Sequence, residues 1–180
     1  IRMFLGMEKV ALAENGGVHL TGQAGGIETK GGRAATEAVL PEDRDHGHDL
    51  GWGKIDLVNR WRETELAVSR DQPLAPLEEA AADHGLVVLD TGFAYHVTSP
   101  DVNKGTGLVA VAETLGQDAA DFAAVGDSEN DAPALLAAGQ SVAVGNADGV
   151  AQEAADHVTS ASYADGFLEA VDWVADSSED

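Results

Sequence analysis

Cysteine is absent from the 180 residues and lysine occurs only four times, as Lys9, Lys30, Lys54 and Lys104. The first absence excludes disulfide scaffolds, thiolate zinc sites and cysteine nucleophiles together. Cations of both kinds number 10 against 32 carboxylates, for a formal charge of −22. That balance excludes a general basic surface for nucleic acid or anionic membrane. Long hydrophobic runs are missing as well. Stretches such as Leu108–Ala112 fall far short of the about 18 residues that a membrane helix needs. No secretory signal is legible at the start, and Ile1 is not an initiator methionine, so a cytoplasmic protein that begins inside a longer sequence is expected.

What is present argues for a folded chain. Hydrophobic residues make up 44% and recur in periodic blocks, which disordered acidic segments do not show. Few lysines beside many Asp and Ala read as adaptation to a high-salt interior, where screening shortens the reach of self-repulsion.

Val10–Ala13 and Val18–Leu20 predict strands around the turn signal Glu14-Asn15-Gly16-Gly17, behind a short helical spacing at Ile1, Phe4 and Leu5. The opening therefore reads as the middle of an α/β unit. A helix over Arg33–Leu40 is stopped by Pro41, and a loop runs over Glu42–Gly53. Glu63–Arg70 alternates apolar and polar residues as a strand. A helix over Leu74–His84 and strands over Leu86–Leu89 and Ala94–Thr98 come next. Beyond Pro100 the rhythm becomes helix–strand alternation, with helices at Lys104–Leu115, Ser128–Ala138, Asp148–Ala155 and Asp165–Val174. Strands at Phe122–Val125, Val142–Val144 and His157–Thr159 lie between them. Such alternation implies a parallel sheet covered by helices. Phe167, Leu168, Val171 and Val174 form the apolar stripe of the last helix, and the tail from Asp176 frays.

The chemistry concentrates in the second half. Phe122-Ala123-Ala124-Val125 makes a buried strand, Gly126 breaks it, and Ser128 caps the next helix. Asp127 then sits at the carboxyl end of a parallel strand, where open α/β sheets bind ligands. Asp131, one helical turn on, faces the same crevice. Two oxygen ligands without soft partners suit Mg²⁺, which keeps waters and bridges to phosphate. Acidic residues at a helix start are also favourable through the helix dipole alone. An EF-hand is excluded, because Ala132 stands where the loop needs glycine and Ala138 where it needs a bidentate Glu.

Upstream, Asp101-Val102-Asn103-Lys104-Gly105-Thr106-Gly107 opens a helix. A lysine at the positive end of the helix dipole is misplaced unless an anion binds there, and two helical glycines are costly. An exposed lysine on a frayed turn is the plainer alternative. Gly105-x-Gly107-x-x-Ala110 also matches a dinucleotide fingerprint, but Pro100 and polar residues stand where the preceding strand is required.

Gly126-Asp127-Ser128-x-Asn130-Asp131 after an apolar strand, behind Asn103-Lys104-Gly105 opening a helix, resembles the third and fourth motifs of the haloacid dehalogenase-like phosphatases. Glu14-Asn15-Gly16-Gly17, Asn59-Arg60-Trp61-Arg62-Glu63 and Val144-Gly145-Asn146-Ala147 resemble the archaeal phosphoglycolate phosphatase branch. The resemblance implies an α/β fold, a Rossmann-like parallel-sheet core whose N-terminal part is absent, with an inserted α/β cap. It implies a remnant of that core over 1–17, a cap over 18–95, the rest of the core over 96–176 and a tail over 177–180. It further implies a Mg²⁺-dependent phosphatase working through an aspartyl-phosphate. Lys104 is then the phosphoryl-binding cation, Asp127 and Asp131 hold the metal, and Asn130 and Ser128 position the metal loop or the phosphate. The family's first motif, D-x-D-x-T, supplies the nucleophile and the acid/base. Nothing before Asn15 resembles it, nor is there a second-motif Ser or Thr. Those residues are expected upstream of Ile1, across about forty residues, and the 180 residues alone are expected to be inactive.

Substrate choice in such proteins resides in the cap. In an extended segment Arg60 and Arg62 point to one side and Trp61 to the other, offering a bidentate grip on a carboxylate such as that of glycolate. A strand edge with ordinary salt bridges is an equal alternative. His46-Gly47-His48 reads as a solvated loop, and His96 and His157 as packed strand residues. The expected partner is a small anionic phosphomonoester. Another sugar-phosphate phosphatase, or a non-catalytic phosphate- or metal-binding relic, remains open beside 2-phosphoglycolate hydrolysis.

Overall fold

A computed structural model describes residues 11–21, 26–29, 50–53, 56–60 and 62–177. The helical spacing at Ile1–Leu5, the helix over Arg33–Leu40, the His46–His48 loop, Lys54, Trp61 and the end of the tail lie outside the described residues.

Strands β1 (Ala11–Ala13), β2 (Val18–Thr21) and β3 (Gly26–Thr29) form an antiparallel meander. The two strands expected here are present, but as a hairpin rather than part of a parallel α/β unit. Their connection is a tight helical turn, Glu14–Gly16, with positive φ at Glu14 (52°), Asn15 (52°) and Gly16 (94°). Asn tolerates that left-handed region better than most residues, and Gly adopts it freely.

A second antiparallel sheet has β6 (Ala94–Thr98) between β4 (Leu66–Ser69) and β5 (Val87–Asp90). Helix α1 (Leu74–Asp83) packs across it, and Leu66, Val68, Leu77, Ala80, Ala81, Leu86 and Val97 make one buried cluster. The alternation expected along β4 is absent, because all four of its residues are buried. Its edge is closed by side chains. Trp52 Nε1 and Asn59 Nδ2 each donate to Ala67 O at 2.8 Å, and Ala67 N donates to Asn59 Oδ1 at 2.7 Å. The Asn59 amide thus replaces a neighbouring strand on an edge that would otherwise template aggregation.

The third sheet is parallel, in the order β7 (Ala123–Gly126), β8 (Gln140–Ala143), β9 (His157–Val158). Helices α2 (Lys104–Leu115), α3 (Ala132–Ala137), α4 (Gly149–Ala154) and α5 (Tyr163–Ser177) accompany it, giving the expected α/β fold. Leu135, Ala143, Val144, Ala147 and Ala151 form its core cluster. Helix α2 starts at Lys104 as expected. Asn103 Oδ1 accepts from Thr106 N at 2.9 Å, and Asn103 N donates to Thr106 Oγ1 at 3.1 Å. The two glycines of α2 have a packing reason that their sequence context hides. A Cβ at Gly105 would stand 2.2 Å from Pro133 O, and one at Gly107 2.7 Å from Gly16 Cα. The strand before them, β6, belongs to an antiparallel sheet, so the dinucleotide fingerprint lacks its βαβ context.

Two other expectations are corrected. The helix predicted from Ser128 begins only at Ala132, behind a tight turn over Glu129–Asp131. The turn is held by the Asp131 side chain folding back on the chain before it. In α5 the buried residues are Gly166 and Ala170. Of the predicted apolar stripe, Phe167, Leu168 and Val171 are 51%, 61% and 45% exposed.

Candidate functional site

The carboxyl end of β7, the turn after it, the first turn of α2 and the Glu14–Gly16 turn converge on one place. Asp127 emerges from β7 with its side chain exposed, and Gly126 before it lets the chain approach Asp131 closely. Asp131 is half-buried. Its Oδ2 accepts from Asp127 N at 3.0 Å, Ser128 N at 3.2 Å and Ser128 Oγ at 3.2 Å. Its Oδ1 pairs with the Lys104 ammonium. Burial pushes the Asp131 carboxyl up, but Lys104 and the Asp127 and Ser128 amides outweigh that and hold it below the usual range. Asn130 Oδ1 accepts from Ser128 Oγ at 2.6 Å and from Lys104 Nζ at 3.3 Å.

Lys104, Asp127, Ser128, Asn130 and Asp131 are therefore brought together: the spacing predicts this for the two aspartates, and the family resemblance implies it for the other three. Their roles separate. Both oxygens of Asp131 are engaged by protein donors, whereas no described residue donates to the Asp127 carboxylate. The Asp127 carboxylate is left without a protein donor among the described residues, and Asp131 organises the loop and anchors Lys104. Among the described residues no group of three or more His, Asp or Glu side chains could hold a metal by itself. A donor set of one free and one engaged carboxylate fits a hard cation that completes its shell with water and a phosphate oxygen, as Mg²⁺ does.

Arg60 and Arg62 are not arranged as an extended segment would place them. Arg62 N donates to Asn59 O at 3.2 Å, and Asn59 N donates to Asp56 Oδ1 at 2.9 Å, so the chain turns there. The Arg62 guanidinium pairs with Glu65, whose side chain is only 1% exposed. His96 Nδ1 lies 3.0 Å from the same Glu65 oxygen. Burial, then the neighbouring Arg62 charge, lower the His96 pKa to about 4, so its ring is neutral at pH 7. Arg60 is exposed. His157 is packed against Trp173, with ring centroids 5.0 Å apart.

Several working residues are not singled out by the sequence. Asp148 accepts from Glu129 N at 2.7 Å and from Ala151 N at 2.9 Å, capping α4 and holding the 127–131 loop at once. Only the first role is visible in its position before a helix. Glu14 accepts from Glu63 N at 2.8 Å, Thr64 N at 2.6 Å and Thr64 Oγ1 at 2.6 Å. Asn15 Oδ1 accepts from Asn130 Nδ2 at 3.2 Å, and Asn15 Nδ2 donates to Glu65 Oε2 at 3.3 Å. The local signal for Glu14 and Asn15 is a turn, which says nothing about partners 49 to 115 positions away.

Beside Lys104 opens a cleft of about 420 Å³. Asn15, Asn103, Lys104 and Asn130 line one side of it, and Val88, Leu89 and Asp90 of β5 the other.

Residues 70–171 match the family model of the haloacid dehalogenase-like hydrolases. A protein of Haloarcula marismortui named phosphoglycolate phosphatase is 61% identical over 168 residues, covering 93% of this chain and 74% of the relative. One of the same name from Natronomonas pharaonis is 55% identical, covering 97% of this chain and 77% of the relative. Among solved structures, a Thermoplasma acidophilum protein superposes with a TM-score of 0.78 at 23% identity, over 93% of this chain and 73% of the other. A haloacid dehalogenase-like hydrolase from Bacteroides thetaiotaomicron gives a TM-score of 0.71 at 16% identity, over 94% and 77%. These two support the fold. The chain belongs to the haloacid dehalogenase-like hydrolases, in the branch of the archaeal phosphoglycolate phosphatases.

Proposed function

We propose that this chain carries the phosphate-gripping and ion-holding half of a phosphomonoester hydrolase that converts 2-phosphoglycolate and water to glycolate and phosphate. The observation that supports it is the placement of the Lys104 ammonium against Asp131 and beside the exposed Asp127 carboxylate, at the carboxyl end of a parallel strand. The name shared by the relatives supports the substrate.

In this reading Lys104 neutralises non-bridging oxygens of the phosphoryl group, which stabilises the charge carried by those equatorial oxygens in the transition state. Asp131 keeps the ammonium fixed, and Ser128 and Asn130 hold the loop that presents Asp127. Asp127 and, through the loop, Asp131 are the residues for Mg²⁺. When bound, the ion supplies positive charge to the phosphoryl oxygens and fixes their orientation. In this reading the phosphoryl group passes to an aspartate that none of the motifs in these 180 residues supplies, so the 180 residues alone are inactive. The region 18–95 acts as the cap, and the protein works in the cytoplasm of a high-salt cell. Among the described residues no helix is long and apolar enough to cross a membrane.

A second reading rests on the far wall of the cleft. Val88, Leu89 and Asp90 offer no cation to a substrate carboxylate, which favours a neutral sugar or polyol phosphate. Phosphate release from a panel of small phosphomonoesters by the complete gene product separates the two. The primary reading expects 2-phosphoglycolate to have the highest kcat/KM; a neutral ester leading the panel by about tenfold, roughly 1.4 kcal/mol in transition-state binding, would reverse the assignment.

A further inference from the structure

A line of four polar side chains joins the buried Glu65 to Lys104, and the donors and acceptors along it all point one way. Glu65 Oε2 accepts from Asn15 Nδ2 at 3.3 Å. Asn15 Oδ1 accepts from Asn130 Nδ2 at 3.2 Å, and Asn130 Oδ1 accepts from Lys104 Nζ at 3.3 Å. A carboxylate can only accept and an ammonium can only donate. The two ends therefore fix both amides between them: a flip of either Asn would face oxygen to oxygen or nitrogen to ammonium. Asn15 is itself held in the left-handed region, at φ 52° and ψ 29°, by a turn that Glu14 ties to the backbone of Glu63 and Thr64.

We propose that Asn15 is a positioning residue, oriented by Glu65, that keeps the Asn130 oxygen turned to Lys104 and so aims the ammonium at the phosphoryl site. This rests on the reading of Lys104 as the phosphoryl-binding cation. The effect of Asn15 passes through Asn130, whose NH₂ gives one of its two hydrogens to Asn15. Glu65 sits in the segment expected to belong to the cap, so the arrangement also ties the cap's inner residue to the phosphate grip.

The test uses polarity. Asn15→Asp keeps the left-handed turn and the acceptor for Asn130, but sets a second carboxylate against Glu65. Glu65→Gln in the same chain gives that new carboxylate a donor, so that every contact along the line again joins a donor to an acceptor, with the 15–65 link reversed. In the complete gene product kcat/KM falls about tenfold in N15D, the scale of a lost charge-assisted hydrogen bond, and recovers in N15D/E65Q. A purely structural role predicts the opposite, because E65Q also weakens the pairing with Arg62 and the two defects add. In the 180-residue chain, the Asn130 side-chain amide and Lys104 ammonium signals, read by ¹⁵N NMR, shift in N15D and return in the double variant. Should N15D not fold, Asn15→Gly keeps the turn and shifts both signals. Absence of recovery in the double variant, or signals unmoved in N15G, overturns the proposal. A phosphatase-silent wild type counts against the function proposed above, and the NMR arm then decides the positioning alone.

Discussion

Asp131 receives the Lys104 ammonium on one carboxylate oxygen, while its other oxygen holds the amides of the Asp127–Ser128 turn. The same side chain thus fixes the cation of the site and the loop that displays its free carboxylate. Asp127, four residues earlier, has neither duty. Substituting the two aspartates separates them.

Asp131→Asn removes an acceptor that serves four donors and leaves Lys104 beside a neutral amide. A loss of about 1–3 kcal/mol in unfolding free energy is expected, read from urea unfolding in high salt. Asp127→Asn changes stability by less than about 0.5 kcal/mol, since no described residue depends on that carboxylate. It lowers affinity for Mg²⁺, measured by calorimetric titration. Equal destabilisation by both variants would show that the division of roles is wrong.

Arg62→Ala leaves the Glu65 carboxylate in a buried place beside a neutral His96. The expected cost is about 3 kcal/mol, seen as a lowered unfolding midpoint. Arg60→Ala, at an exposed position, leaves the midpoint within experimental scatter. If the Arg60 guanidinium meets the substrate carboxylate, that variant raises KM for 2-phosphoglycolate more than for a neutral phosphomonoester. Equal rises on both substrates remove Arg60 from specificity.

His96 makes stability fall toward acid. Its folded pKa of about 4 lies below the ordinary 6.5, so the unfolded chain binds the proton first as pH drops. Stability is complete above pH 6.5 and is lost progressively down to pH 4. Asp131, also depressed, adds a loss in the same direction at lower pH. His96→Gln is expected to flatten the slope of unfolding free energy against pH in the upper window. An unchanged slope contradicts the assignment.

A charge of −22 on one chain predicts a salt requirement. The thermal midpoint should rise steadily from dilute buffer to molar KCl as carboxylate repulsion is screened. Relatives from halophilic archaea fit this expectation. Indifference of the midpoint to KCl would refute it.

The parallel half of the fold is legible because its strands are short apolar runs bounded by helix starts. Lys104–Leu115 is placed to the residue, strand-end logic sets Asp127 and Asp131 at one crevice, and the family resemblance adds Lys104 to them. What the residues could not show comes from partners distant in sequence. The full burial of β4 depends on Asn59 and Trp52, and the requirement for Gly105 depends on Pro133. The helix expected at Ser128 starts late because Asp131 commits its carboxylate to the preceding amides, a choice that local propensity does not encode. In the same way Arg62 serves Glu65, because the turn at Asn59 overrides the extended geometry. The apolar stripe of α5 is real as a pattern, yet the buried residues of the helix are small ones.

Phosphate release from 2-phosphoglycolate by the complete gene product, in molar KCl with and without Mg²⁺, tests the central claim most directly. The account predicts hydrolysis only with the ion present, and a fall of at least about a hundredfold in kcat/KM for a folded Lys104→Ala variant. Hydrolysis that proceeds equally without the ion, or survives the loss of the Lys104 ammonium, would contradict it.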